Sequence, residues 1–192
     1  MSNKKADLQF LTRNELKALL DKAKKDNPRN YALLLLTYRH GLRASESINI
    51  TMENIDLESK NIRCERQKGS ISNWQSLADD EVKAIKTWLK HRPNTNSHNL
   101  FVSTVGKSIS RVQFFNIFRK LANEIGLPRE KQHPHILKHS LGTHLANSGV
   151  PIQVIQARLG HRNIQNTMVY LQISSAYTDR AFETALSNGA VV

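Results

Sequence analysis

The chain has 192 residues, 39% of them hydrophobic and 23% charged, which is an ordinary globular mixture for one domain or two small lobes and unlike a disordered or fibrous chain. Twenty-eight Lys and Arg against 16 Asp and Glu leave a formal charge of +12, which points to a polyanionic partner, nucleic acid before membrane. The single cysteine, Cys64, excludes an intramolecular disulfide and a Cys-based metal cage, the N-terminus shows no apolar signal segment, and the longest apolar run, residues 31–38, is too short to span a bilayer; a reducing, cytoplasmic setting is expected.

Residues 1–7 are polar and are expected to be a flexible lead-in to one domain over residues 8–192. Thr12 with Glu15 makes the S/T-x-x-E capping pattern, and Leu16, Leu19, Leu20 and Ala23 follow at helical spacing. A second, core helix starts near Pro28, runs through the apolar 32–36 and stops at Gly41, where a left-handed cap fits. A third, short helix is expected over 43–48. The pattern then becomes an alternation, with Ile62 and Cys64 apolar and Arg63 and Glu65 polar. Strands are expected near 54–57, 61–66 and 74–77, with a turn through Lys68 and Gly69 between the last two. Asp79 or Asp80 should cap a helix with Val82, Ile85, Trp88 and Leu89 inward, ended by Pro93, and 94–99 read as a loop. Ser110 caps the next helix, whose Val112, Phe115, Phe118, Leu121, Ala122 and Ile125 are expected to form its apolar stripe before Gly126 and Pro128. Pro134 opens a segment to about Ser148, Gly149 stops it, and Pro151 starts another that ends at Gly160. Short helical pieces around Tyr170 and over 176–186 complete the reading: a mainly α fold with a small three-stranded antiparallel sheet.

Five of the eight histidines, His133, His135, His139, His144 and His161, fall within one short stretch. His135, Lys138 and His139 stand at i, i+3 and i+4, on one face of a helix. His135 and His139 have the spacing of metal ligands, yet Ile136 stands where H-E-x-x-H needs its Glu, so no metal is expected. Taken alone, the helix would read equally well as one with capping or core histidines.

The stretch His135-Ile-Leu-Lys138-His139, then Gly160-His161-Arg162-Asn163, then Thr167-Met-Val-Tyr170 resembles the C-terminal signature of the tyrosine recombinases, also called phage integrases. That pattern is H-x-L-R-H, a Leu-Gly-His after a turn, and a tyrosine nine residues later. Upstream, His40-Gly-Leu-Arg43-Ala-Ser-Glu46 resembles the family's G-L-R-x-S-E box, and Lys68 is similar in place to its β-hairpin lysine. The resemblance spans residues 8–185 and is strongest to the short recombinases that invert fimbrial promoter segments. Those enzymes begin almost at the catalytic domain, and no additional N-terminal DNA-clamping domain is expected here.

The resemblance implies phosphoryl transfer with no metal or cofactor, in which side chains supply the nucleophile, the charge clamp and the proton transfers. Tyr170 would be the nucleophile, forming a 3′-phosphotyrosine link that conserves the energy of the broken phosphodiester. Arg43 would hold a nonbridging oxygen with its planar fork, with Glu46 holding Arg43 or closing its helix. Lys68 would protonate the leaving 5′ oxygen, with the neighbouring Arg66 as its rival. His135 would be the base or hydrogen-bond partner and His161 a donor to the phosphate, whereas His139 would pack and hydrogen-bond inside the helix layer. Lys138 stands where the family has a second arginine; the charge survives, the bidentate fork does not, and reduced activity is expected. Lys107, Arg111, Arg119, Lys120, Arg129, Lys131 and Arg162 are expected to meet DNA, mostly at phosphates. The partners implied are double-stranded DNA, further copies of the chain (four protomers on two sites) and accessory DNA-bending proteins, in the bacterial nucleoid and away from membranes. The segment 176–186 resembles the family's C-terminal helix, packed on its own chain or on a neighbour. Two other readings are a non-catalytic DNA-binding regulator on a degenerate recombinase fold and a type IB topoisomerase.

Overall fold

The computed structural model describes residues 8–171, 182–183 and 186–187. The capping box forms as expected: the Thr12 hydroxyl accepts from the Glu15 amide at 3.2 Å, the Glu15 carboxylate accepts from the Thr12 amide at 2.7 Å, and α1 (Arg13–Asp26) follows. Asn27 caps α2 (Pro28–Arg39), where Ala32, Leu33, Leu34 and Leu36 are wholly buried. A helix apolar nearly all round belongs at the centre, and α2 packs against α1, α4 and α6. Gly41, at φ +55°, turns the chain into α3 (Ala44–Ile48).

β1 (Ile55–Asp56), β2 (Asn61–Cys64) and β3 (Asn73–Ser76) form an antiparallel sheet in that order, with Ile62 opposite both Ile55 and Gln75. The alternation read from the sequence holds, since Ile62 and Cys64 face the core. The next helix, α4 (Asp79–His91), is not capped by Asp79 or Asp80. Its N-cap is Ala78, whose amide is bound by the Glu81 carboxylate at 2.9 Å. The two aspartates occupy the first turn and pair outward with Lys60 and Arg39.

Ser110 caps α5 (Arg111–Glu124) as expected, but the apolar stripe is rotated. Phe114, Phe118, Leu121 and Ala122 are buried, while Val112 and Phe115 are 69% and 40% exposed. Phe115 lies about 100° around the helix from Phe114, and both phenylalanines cannot share one face. Two clusters then meet at α6 (His135–Asn147): Ile136 and Leu137 belong to the main core, and Leu141 and Ala146 to a smaller one with α7 (Ile152–Leu159) and α8 (Gln165–Leu171). Residues 1–7 and most of the expected helix over 176–186 lie outside the described residues. No helix among the described residues is long and apolar enough to cross a membrane.

Candidate active site

The motif residues come from five separate stretches, and the fold gathers most of them at the meeting point of α3, α6, α7 and the β2–β3 hairpin. Arg43 precedes α3, where Glu46 fixes it twice: the carboxylate accepts from the Arg43 amide at 2.8 Å and from Nη1 at 2.7 Å. Nη1 also donates to Ser70 Oγ at 3.0 Å, which ties the arginine to the hairpin while leaving its side chain partly exposed at 32%. Burial alone would raise the Glu46 carboxyl, but the Arg43 amide and guanidinium, with Arg66 beyond, hold it below the usual carboxylate range. Glu46 is therefore an anionic bracket for Arg43, as its motif position implied.

The start of α6 presents His135 at the surface and sends Lys138 inward. The Lys138 ammonium is 2% exposed and donates to the carbonyls of Gly41 and Leu159, both at 2.7 Å. Burial, then the Arg66 charge, push Lys138 down to about 7. His161, at the turn after α7, is 8% exposed; its Nδ1 meets the Thr167 hydroxyl at 2.9 Å. Burial, followed by Lys138, Arg43 and Arg66, pushes it down to about 4. His135 shifts the same way, through desolvation, Lys138, His133 and Arg43. Burial and the neighbouring cations depress the protonation of these groups, and Glu46 opposes this only in part.

Lys68 is exposed in the turn at 68–69. Two residues on, Ser70 forms an isolated antiparallel bridge with His161, and the Ile71 amide donates to the Gly160 carbonyl at 3.0 Å, so the hairpin is laced to the His161 turn through main chain. Arg66, the rival to Lys68, is placed quite differently. Its side chain is wholly buried and bound to backbone carbonyls, so it has no access to a leaving group.

Tyr170, on α8, is 2% exposed and packs in the smaller cluster. Its hydroxyl is 3.3 Å from His139 Nδ1, and the His139 ring stands edge-on to His135 at 4.5 Å. His139 thus packs and hydrogen-bonds as expected, with the phenol as its partner, and burial followed by repulsion from His135 pushes it down to about 4, leaving it neutral at pH 7. Burial raises the Tyr170 phenol, and Arg43 is the charge that opposes this. The ring lies over Gly142 of α6, where an added Cβ would stand 2.5 Å from the hydroxyl-bearing carbon. The described geometry therefore gathers Arg43, His135, Lys138 and His161, sets Lys68 on an adjoining turn, and seats the Tyr170 hydroxyl against His139 rather than on the cations.

The basic residues expected at DNA divide in two. Lys107, Arg111, Arg119, Arg129 and Arg162 are exposed, and Arg111 stands beside Ala44 and Pro134 at the edge of the site. Lys120 is paired with Asp26 at 2.9 Å, and Lys131, 17% exposed, with Glu15 at 2.8 Å, so their charge is partly neutralised within the chain. Ser70 is a site residue that the sequence reading did not name, and Arg66 was weighed there only as the rival to Lys68. Arg66 did leave a signal, since it continues the inward phase of Ile62 and Cys64.

The sequence profile of the phage integrase family matches residues 9–176. The Type 1 fimbriae regulatory protein FimB of Escherichia coli (strain K12) is 42% identical over 174 residues, 88% of this chain and 85% of FimB. Among solved structures, the XerA recombinase superposes with a TM-score of 0.80 at 25% identity, over 95% of this chain and 65% of XerA. The XerH site-specific recombinase bound to its palindromic difH substrate, in a post-cleavage complex, superposes at 0.78 with 22% identity, over 93% of this chain and 54% of XerH. With the profile covering most of its length and the motif residues meeting in one place, the chain belongs to the phage integrase family.

Proposed function

We propose that this chain is a site-specific DNA recombinase that cleaves and rejoins DNA strands through a 3′-phosphotyrosine intermediate, and that it inverts a DNA segment. The observation that carries the reading is the cluster of Arg43, His135, Lys138 and His161, drawn from distant segments to one place: Arg43 reaches Ser70, Ser70 bridges His161, and Lys138 binds the carbonyls of Gly41 and Leu159. A phosphodiester is the anion that such a set of donors suits, and the surplus of +12 supplies the sequence-independent grip on the duplex. DNA-bound XerH supports the choice of polyanion.

In the reaction the Tyr170 oxygen attacks phosphorus, the bond to the 5′ oxygen breaks, and Lys68 gives that oxygen its proton. Arg43 and His161 hold nonbridging oxygens, and Lys138 adds charge where negative charge grows. His135 takes the phenolic proton. In the resting arrangement His139 holds the hydroxyl, so attack requires the Tyr170 ring to leave its seat over Gly142. Recombination joins two sites, so the working unit is a homotetramer on paired DNA, with accessory bending proteins at the nucleoid. Exposed Lys107, Arg111, Arg119, Arg129 and Arg162 make the phosphate contacts; Lys120 and Lys131 must first leave their carboxylates.

A library of duplexes, nicked and randomised around the nick, tests this and lets the chain select its own target sequence. Cleavage near a nick releases the short fragment that bears the free 5′ hydroxyl and strands the protein on the other 3′ end, so denaturing gels report covalent adducts. Wild-type chain is expected to give adducts that converge on one sequence, and Tyr170→Phe to give none. Binding that survives Tyr170→Phe with no adduct from the wild type would assign the chain instead to DNA-binding regulation, the reading that the buried hydroxyl and the carbonyl-bound Lys138 favour. Adducts with no common sequence would point to a type IB topoisomerase.

A further inference from the structure

Arg66 is the most completely enclosed charge at the site. It lies just beyond β2, and its guanidinium binds two stretches remote in sequence. Nη1 donates to the Gly41 carbonyl at 2.9 Å and to Glu46 Oε2 at 3.2 Å. Nη2 donates to the carbonyls of His40 at 2.7 Å and Arg158 at 2.8 Å. The side chain is 0% exposed, so none of these bonds is made to reach solvent.

Both stretches bound in this way, and the hairpin that bears Arg66, carry a site residue a few positions away. The 40–46 stretch holds Arg43, the hairpin of Arg66 itself holds Lys68, and the end of α7 holds His161. Two of the acceptors are shared with site residues: Glu46 also binds the Arg43 guanidinium, and the Gly41 carbonyl also accepts from Lys138. A planar fork with donors in fixed directions can meet four oxygens in this way, and a lysine ammonium cannot.

The backbone is shaped to the same group. Gly160, at φ +68°, lies under the arginine stem, where an added Cβ would stand 2.7 Å from Arg66 Nε and 3.0 Å from Cγ. Nε–H itself is buried with no acceptor among the described residues. An unsatisfied buried donor is costly, so the stem's position is dictated by what the two outer nitrogens hold.

Resting on the recombinase reading, we infer that Arg66 is a positioning residue, which sets the spacing of Arg43, Lys68 and His161 around the scissile phosphate without touching DNA. Two variants test it from opposite sides: Arg66→Lys keeps the charge and loses the fork, and Gly160→Ala keeps the fork but crowds its stem and the Ile71 carbonyl oxygen, 2.9 Å from the added Cβ. Three readouts are taken on the full chain: amide hydrogen exchange without DNA, affinity for a nicked duplex recovered from the capture library, and the single-turnover rate of adduct formation on that duplex.

Positioning predicts that both variants bind the duplex nearly as the wild type does, because most of the phosphate contacts come from Lys107, Arg111, Arg119, Arg129 and Arg162, which Arg66 does not touch. Amide exchange over 41–47 and 158–162 rises about tenfold with α1 unchanged, and adduct formation falls about 100-fold, the cost of a misplacement on the order of 1 Å. A wild-type adduct rate in Arg66→Lys overturns the inference. So does exchange that rises throughout the chain with DNA binding lost, which would make Arg66 a general core strut. If wild-type chain forms no adduct, the recombinase reading fails, and the exchange measurement alone decides: unchanged exchange over 41–47 and 158–162 refutes the tie.

Discussion

Lys138 shows how one replacement redirects a site. Its ammonium is 2% exposed and gives two of its three protons to the Gly41 and Leu159 carbonyls, which leaves one for a phosphate. A guanidinium has five donors and can keep the carbonyls while presenting a fork to the oxygens. Lys138→Arg is therefore expected to raise single-turnover cleavage, by up to about 100-fold if a full transition-state donor is restored; an unchanged or lower rate in a folded variant would contradict this. At this scale the motif residues were readable because each sits in a short ordered pattern, as Arg43 and His161 do. The partners of Arg66 and His139 were not, because they are carbonyls and a phenol far along the chain. His139 meets Tyr170 only once α6 and α8 have packed.

The elements were legible where period and punctuation agree. Thr12 and Ser110 cap their helices, Gly41 and Gly160 end theirs with positive φ, and the strand alternation at Ile62 and Cys64 is kept. The errors came where adjacent apolar residues allowed two phases, as at Phe114 and Phe115, or where a buried carboxylate outcompeted an exposed one for a cap, as Glu81 does at Ala78. Nothing local marks Gly142 as the seat of the Tyr170 ring, since the ring arrives from another helix. Gly142→Ala should overpack that contact and lower stability by about 1–3 kcal/mol. It should also expose the phenol, so nitration of Tyr170 by tetranitromethane is expected to speed up as the melting temperature falls. Unaltered nitration would mean that α8 yields as a rigid piece.

Across the whole molecule, the proton balance of the site sets how stability varies with pH. His139 and His161 hold values of about 4 when folded against an ordinary 6.5, so the unfolded chain binds more protons between those limits and stability falls as acid is added. Glu46 and Glu81, both held below the usual carboxylate range, withdraw their contribution further down, and Lys138 acts with the same sign between about 7 and 10.5. The melting temperature is expected to drop steadily from pH 6.5 to 4 in thermal scans, and His161→Asn to flatten that slope; equal slopes would show that His161 carries none of it. The Ser70–His161 bridge has a consequence for fidelity. Because the hairpin bearing Lys68 and the turn bearing His161 are stitched edge to edge, the two cannot drift independently. In the proposed reaction, a duplex that fits poorly enough to tilt one takes the other out of alignment with it, so that the proton for the departing strand and the grip on the phosphate are withdrawn together and partial engagement gives silence rather than half-finished cuts.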